Sequence, residues 1–153
     1  MLDADKLRLF EAEYFKLQDI VETFDERTLQ IKGWSVTVSL AAIISAYASE
    51  AAKGHEFVII YVAAMSALSF WIIEFFWKCF QWTLILRVDE IEAFMRGEAA
   101  GTLPLQIRSS WTRNFKAEVK RSVFAAKFLK PSLALPHALI MFLAVVLAGS
   151  VPS

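Results

Sequence analysis

The run Phe70-Trp71-Ile72-Ile73-Glu74-Phe75-Phe76-Trp77-Lys78 sets one carboxylate inside an otherwise apolar stretch. Taking a carboxylate out of water is costly, so a side chain in such a place has either a partner or a task. As a task, Glu74 could line a cation pathway or respond to protons. As a paired group it would meet Lys78 one turn further on, or Lys32 on a neighbouring helix, and pairing is the simpler expectation. Ser35, Thr37, Ser39, Ser45, Ser49, Ser66 and Ser69 add hydroxyls to the adjoining apolar stretches. Small polar residues let helices approach closely in lipid. They would equally suit the wetted lining of a pore in an oligomer, and the pattern leaves both open. Glu74, Lys78, Ser35, Ser39, Ser45 and Ser66 are therefore the intramembrane polar candidates.

Other chemistry is sparse. Cys79 is the sole cysteine and has no histidine at a useful spacing, so it reads as a small apolar residue rather than a nucleophile. His55 and His137 are far apart with no obvious third ligand, and no metal site is expected. There is no glycine-rich phosphate loop, zinc-protease motif or serine elbow. The expectation is a protein without catalytic residues or cofactor.

The elements that carry these residues are helices of a membrane protein. The chain has 153 residues, which suggests one domain. Its apolar fraction is 57%, against about 45–50% in ordinary soluble chains, and its mean hydropathy is +0.47. Intrinsic disorder is excluded by that composition, and a disulfide scaffold by the single cysteine. The 16 basic and 16 acidic residues balance, so overall charge does not point to nucleic acid as a partner. Three stretches, 33–49, 57–73 and 133–151, carry no formal charge, counting His137 as neutral. Each reaches the lower limit of roughly 17 residues for crossing about 30 Å of hydrocarbon as a helix. Three such stretches leave too little polar surface for buried core helices. The expectation is a single membrane domain over 1–153, with spans at 33–52, 56–77 and 132–151. Trp34, Trp71, Trp77, Trp82, Tyr47 and Tyr61 fall toward span ends, as an interfacial belt would. No cleaved signal peptide or lipidation motif is expected.

Basic residues orient the spans. The 50–56 segment has only Lys53, whereas segment 78–130 has ten Lys or Arg and segment 1–32 has five. The N-terminus and the 78–130 segment should face the cytoplasm of an inner membrane, with the C-terminus outside.

Segment 1–32 also reads as a helix. Leu7, Phe10, Tyr14, Leu17, Val21, Phe24, Thr28 and Ile31 alternate at spacings of three and four, and the count continues through Ser35, Val38, Ala42, Ser45 and Ser49. A second series runs Ile59, Ala63, Ser66, Phe70, Ile73, Trp77, Phe80, Leu84, Arg87, Ile91, Phe94 and stops before Gly97. About forty residues of helix measure roughly 60 Å, about twice the bilayer core, so segment 78–98 should continue the second span as a cytoplasmic stalk. Folding the chain near residue 54 gives an antiparallel hairpin. It sets Ser49 against Ile59, Ala42 against Ser66, Ile31 against Trp77, Phe24 against Leu84, and Leu17 against Ile91. Leu17, Val21, Phe24, Phe80, Leu84 and Ile91 are the expected stalk packing. Arg87 falls near Glu22 and Asp25 in this register, and pairing with those acids is expected.

Gly97, Gly101 and Pro104 break the chain. Segment 105–130 then forms a basic amphipathic helix carrying +6, with Arg113, Lys116, Lys120, Arg121 and Lys127 on it, while segment 1–30 carries −4. Two placements are open: on anionic lipid, or packed against the acidic N-terminal helix. Pro131 and Pro136 should bend the entry to the third span.

The stretch Ile31-Lys32-Gly33-Trp34-Ser35-Val36-Thr37-Val38-Ser39, with Phe70 through Gln81, resembles an uncharacterised family of small bacterial inner-membrane proteins. Over roughly residues 5–98 the layout is also similar to that of the two-span membrane effectors of bacterial nucleotide-signalling defence systems, where a membrane hairpin carries a cytoplasmic helical extension. The third span and the basic segment depart from that pattern, and no site residue is carried over. The expected fold is all-α, with three transmembrane helices and a long antiparallel hairpin. The expected function is non-enzymatic: self-assembly through the helices, as a homo-oligomer that forms a pore or perturbs the membrane. The alternative is a scaffold whose stalk docks a cytoplasmic protein. The lipid bilayer is the first partner, and no nucleic acid is expected.

Overall fold

The computed structural model describes residues 4–120 and 123–150. All regular structure among them is helical. The helices are α1 (Ala4–Ala48), α2 (Glu56–Met95), α3 (Ile107–Lys120), α4 (Val123–Phe128) and α5 (Pro131–Ala148). Three of these, α1, α2 and α5, are long and apolar enough to cross a membrane.

The helix ends follow from the sequence. Ala48 closes α1, and the tighter turn Glu50–Ala52 leads to Gly54, whose φ of 81° is one that L side chains rarely adopt. The connection between α1 and α2 is thus centred on residue 52. At the far end of α2, Gly97 has φ 76°, its N–H bonds the Phe94 carbonyl, and the Glu98 N–H bonds the Ala93 carbonyl. This pair of bonds satisfies carbonyls that the helix end would otherwise leave open.

The chain divides into two compact units, Met1–Arg27 with Trp77–Phe124, and Thr28–Phe76 with Ala125–Ser153. The first unit has a core of Phe10, Leu17, Leu84, Val88 and Ile91, onto which Val21, Phe24, Ile107 and Trp111 pack. Of the expected stalk residues, Leu17, Val21, Phe24, Leu84 and Ile91 lie in this cluster. The remaining one, Phe80, turns instead to α3, with ring centroids 5.8 Å from both Trp111 and Phe115.

The pairing of α1 with α2 in this unit differs from the expected register. Phe24 meets Trp77 (4.8 Å between centroids) instead of Leu84. Gln81 Nε2 donates to the Val21 carbonyl at 3.0 Å, and Phe10 packs on Phe94 at 4.8 Å. These matches are displaced by about one to two helical turns. The displacement agrees with a connection centred on residue 52 rather than 54.

α3 packs within the first unit, and Glu90 of α2 is its acidic partner. Arg113 reaches Glu90 at 2.7 Å, and Asn114 and Ser110 reach it at 3.1 Å. Within the basic segment the described residues Ile107–Lys120 and Val123–Phe128 are helical. Lys116 is exposed and Lys127 half-buried. The Lys120 side chain and all of Arg121 lie outside the described residues.

The second unit buries Ile43, Ala46, Ile60, Ala63 and Ala144 in one cluster. Its outer faces are apolar, with Trp34, Tyr61, Ile73, Leu139, Phe142 and Val145 all more than half exposed. On α1 the buried positions drift from the three–four count after Ser35, to Ser39, Ile43 and Ala46, leaving Val38 and Ser45 exposed. A straight helix turns once in about 3.6 residues and leaves a 3.5-residue count behind by about 20° per heptad. Trp71 departs from the expected belt too. It is buried, stacks on Phe128 at 4.4 Å, and donates its indole N–H to the Phe128 carbonyl at 3.2 Å.

Candidate functional site

Three helices of the second unit each bring one polar residue to a shared interior point. On α5 the buried positions Leu133, His137, Ile140 and Ala144 form one face at helical spacing. On α1, Ile31, Ser35 and Ser39 stack at intervals of four on the buried face. On α2, Ala67, Trp71 and Glu74 share a buried face at intervals of four and three. Ser35, Glu74 and His137 are all fully buried.

The three form a continuous chain. Ser35 Oγ lies 2.8 Å from His137 Nδ1, and His137 Nε2 lies 2.8 Å from Glu74 Oε2. A neutral imidazole satisfies both contacts, with Nδ1 accepting from the Ser35 hydroxyl and Nε2–H donating to the carboxylate. Lys32 closes the other side, its Nζ 3.3 Å from Glu74 Oε1. That contact is an ion pair without hydrogen-bond alignment, so Oε1 itself accepts no hydrogen bond. The Lys32 ammonium donates instead to the Ser132 carbonyl at 2.7 Å. Lys32 is the outer member of the group, with 24% of its side chain exposed against none of Glu74.

One buried carboxylate therefore has two cationic or potentially cationic neighbours from different helices. A buried charge needs such company, because burial removes the water that otherwise solvates it. Because Ser35 is shut from solvent, the arrangement can hold protons but presents no nucleophile to a substrate. Among the described residues no three His, Cys, Asp or Glu side chains gather as metal ligands would.

Of the two partners expected for Glu74, Lys32 is the one found. Lys78 turns away and bonds Asp25 and Gln81, both at 2.7 Å, in the first unit. Ser39 is buried and donates to the Ala63 carbonyl at 3.3 Å. Ser45 is exposed and Ser66 half-buried, so neither joins the cluster. Sequence reasoning missed His137 as the central member. The available signal was its place in an uncharged stretch on the same helical face as Leu133, Ile140 and Ala144.

The first unit holds a second buried ion pair. Arg87 is 2% exposed, and its Nε bonds Glu13 Oε1 at 2.9 Å. Its other nitrogens reach Glu90 at 3.1 Å and the Leu103 carbonyl at 2.8 Å. Glu13 Oε2 in turn accepts the Leu105 N–H at 2.6 Å. The expected partners Glu22 and Asp25 belong to the displaced register, and Glu13 takes their place. Burial disfavours the charged form of Arg87, but its bonds to Glu13 and Glu90 outweigh this and hold its pKa above the ordinary value. Burial pushes the Glu90 carboxyl up, and bonds from Arg113, Asn114, Arg87 and Ser110 outweigh that and hold it below the ordinary carboxylate value. Arg87 and Glu13 thereby fasten the Leu103–Leu105 segment to α1 and α2.

No family model matches the chain, and no curated protein or solved structure matches it either.

Proposed function

We propose that the protein is a non-enzymatic, three-span integral membrane protein that works by docking a cytoplasmic protein on its helical stalk. In this reading the N-terminus and residues 78–130 face the cytoplasm of an inner membrane and the C-terminus lies outside. α1 and α2 form an antiparallel hairpin whose stalk is the first unit. One observation favours docking over conduction. Ser35, Ser39 and Glu74, the residues suited to line a shared pore, are buried within a single chain and bonded there. The lipid-facing surface left to the second unit is largely apolar, as an anchor requires. The stalk meanwhile exposes Leu7, Phe15 and Met95 beside a groove of about 480 Å³ between α1 and α2.

The test is co-purification from native membranes with the substitution Phe15→Asp. A single stoichiometric companion, lost in the variant while helix content is kept, supports docking. Ion flux through liposomes holding only the purified chain overturns it.

Self-assembly into a homo-oligomer is the second reading, and the exposed position of Ser45 on α1 favours it. A small polar residue on an outer face allows close approach of another helix. Native mass measurement of a defined multimer, weakened by Ser45→Leu, would support it.

A further inference from the structure

The interior chain of the second unit holds more than a structural pair, because its proton count can change without breaking a hydrogen bond. We infer that Glu74 is a cation-exchange site: a proton taken up by His137 displaces the Lys32 ammonium from Glu74 and frees the first turn of α5.

The exchange balances atom by atom. In the starting state Lys32 is an ammonium, Glu74 a carboxylate and His137 a neutral ring that donates from Nε2 and accepts at Nδ1. Proton uptake places a hydrogen on Nδ1. The Ser35 oxygen, 2.8 Å away, then accepts instead of donating. Its own hydrogen turns to the carbonyl of Ile31 four residues back, the acceptor serine commonly uses within helices. Ser69 and Thr83 already bond the carbonyls four residues before them in this protein. The imidazolium now neutralises Glu74, so a retained Lys32 would leave one uncompensated positive charge beside it. A charge of that kind in a dry interior is costly. Lys32, being partly exposed, is the member with a way out.

Its departure has a structural consequence. The Ser132 carbonyl would ordinarily accept the N–H of residue 136, but that residue is Pro136 and has none. Lys32 supplies the missing donor at 2.7 Å. Releasing it leaves the Ser132 carbonyl to water and loosens the beginning of α5. The groups that face His137 are Ser35 of α1, Glu74 and the Trp71 ring of α2, with Lys32 behind Glu74.

Amine acylation of the full chain in nanodiscs, read by mass spectrometry, tests this. Labelling of Lys32 is divided by that of the exposed Lys16, which cancels the general effect of pH on lysine. The ratio should rise several-fold as pH falls from about 8 to about 5. In His137→Gln it should stay flat. In Ser35→Ala, which removes the acceptor for the new Nδ1 hydrogen, the midpoint should move down by about one pH unit. A flat ratio in the wild-type chain, or a full rise in His137→Gln, overturns the proposal. If His137→Gln does not fold, an unmoved midpoint in Ser35→Ala overturns it.

Discussion

Lys32 donates to the carbonyl of Ser132, the group whose usual helical partner Pro136 cannot supply. Pro136 inside α5 and the lysine at the head of an apolar stretch of α1 thus complete one another. The same ammonium also stands 3.3 Å from the buried Glu74, so one side chain serves a helix defect and a buried charge together.

Lys32→Met should therefore destabilise the second unit, by about 1–3 kcal/mol for an orphaned buried polar partner. Pro136→Ala restores a backbone N–H to α5, and in that background part of the cost of Lys32→Met should vanish. Denaturant unfolding of the wild type, both single variants and the double variant measures the coupling, expected near about 1 kcal/mol. Strict additivity would show that Lys32 and Ser132 do not share an interaction.

Breaking the buried ion pair of the first unit should cost more. Arg87→Met leaves Glu13 without its cation at a fully buried position. Removing one partner of such a pair costs about 3–5 kcal/mol, whereas replacing both is often neutral. The double variant Arg87→Met with Glu13→Leu should recover much of the loss in a thermal melt.

Acid should weaken the attachment of α3. The Glu90 carboxyl is held below its ordinary value in the folded protein, so it binds protons more readily when unfolded. Its contribution is complete above the ordinary value of 4.5 and is lost as pH falls through the lower folded value. Hydrogen exchange of α3 amides should accelerate across that acidic window. In Glu90→Gln the protection should be weaker at neutral pH and less dependent on acid.

Disulfide crosslinking checks the register of the first unit. With Cys79→Ala as background, Phe24→Cys paired with Trp77→Cys should crosslink within one chain under mild oxidation, since these rings lie 4.8 Å apart between centroids. The pair at 24 and 84, about two turns further along α2, should lag. Equal or faster closure of the 24 and 84 pair would restore the register expected from the seam alone.

Helix type, helix length and the three apolar runs were legible because each depends on residues close together in the chain. The end of α2 was readable at Gly97, whose left-handed backbone closes a helix at little cost. Glu74 stood out because one carboxylate in an apolar run has a local contrast that needs no structure to see. The core of the first unit was also legible, for Leu17, Leu84 and Ile91 recur on a helical period.

Partnership across the chain was not legible. A period fixes which face a side chain occupies but not which turn of a neighbouring helix it meets, and moving the connection from residue 54 to 52 gave Arg87 to Glu13 instead of Glu22 and Asp25. His137 lies 63 positions from Glu74 and 102 from Ser35. No local rule links residues so far apart. Only the packing of α5 against α1 and α2 joined them, because a buried carboxylate is stabilised by whichever donors the fold sets within about 3 Å of it.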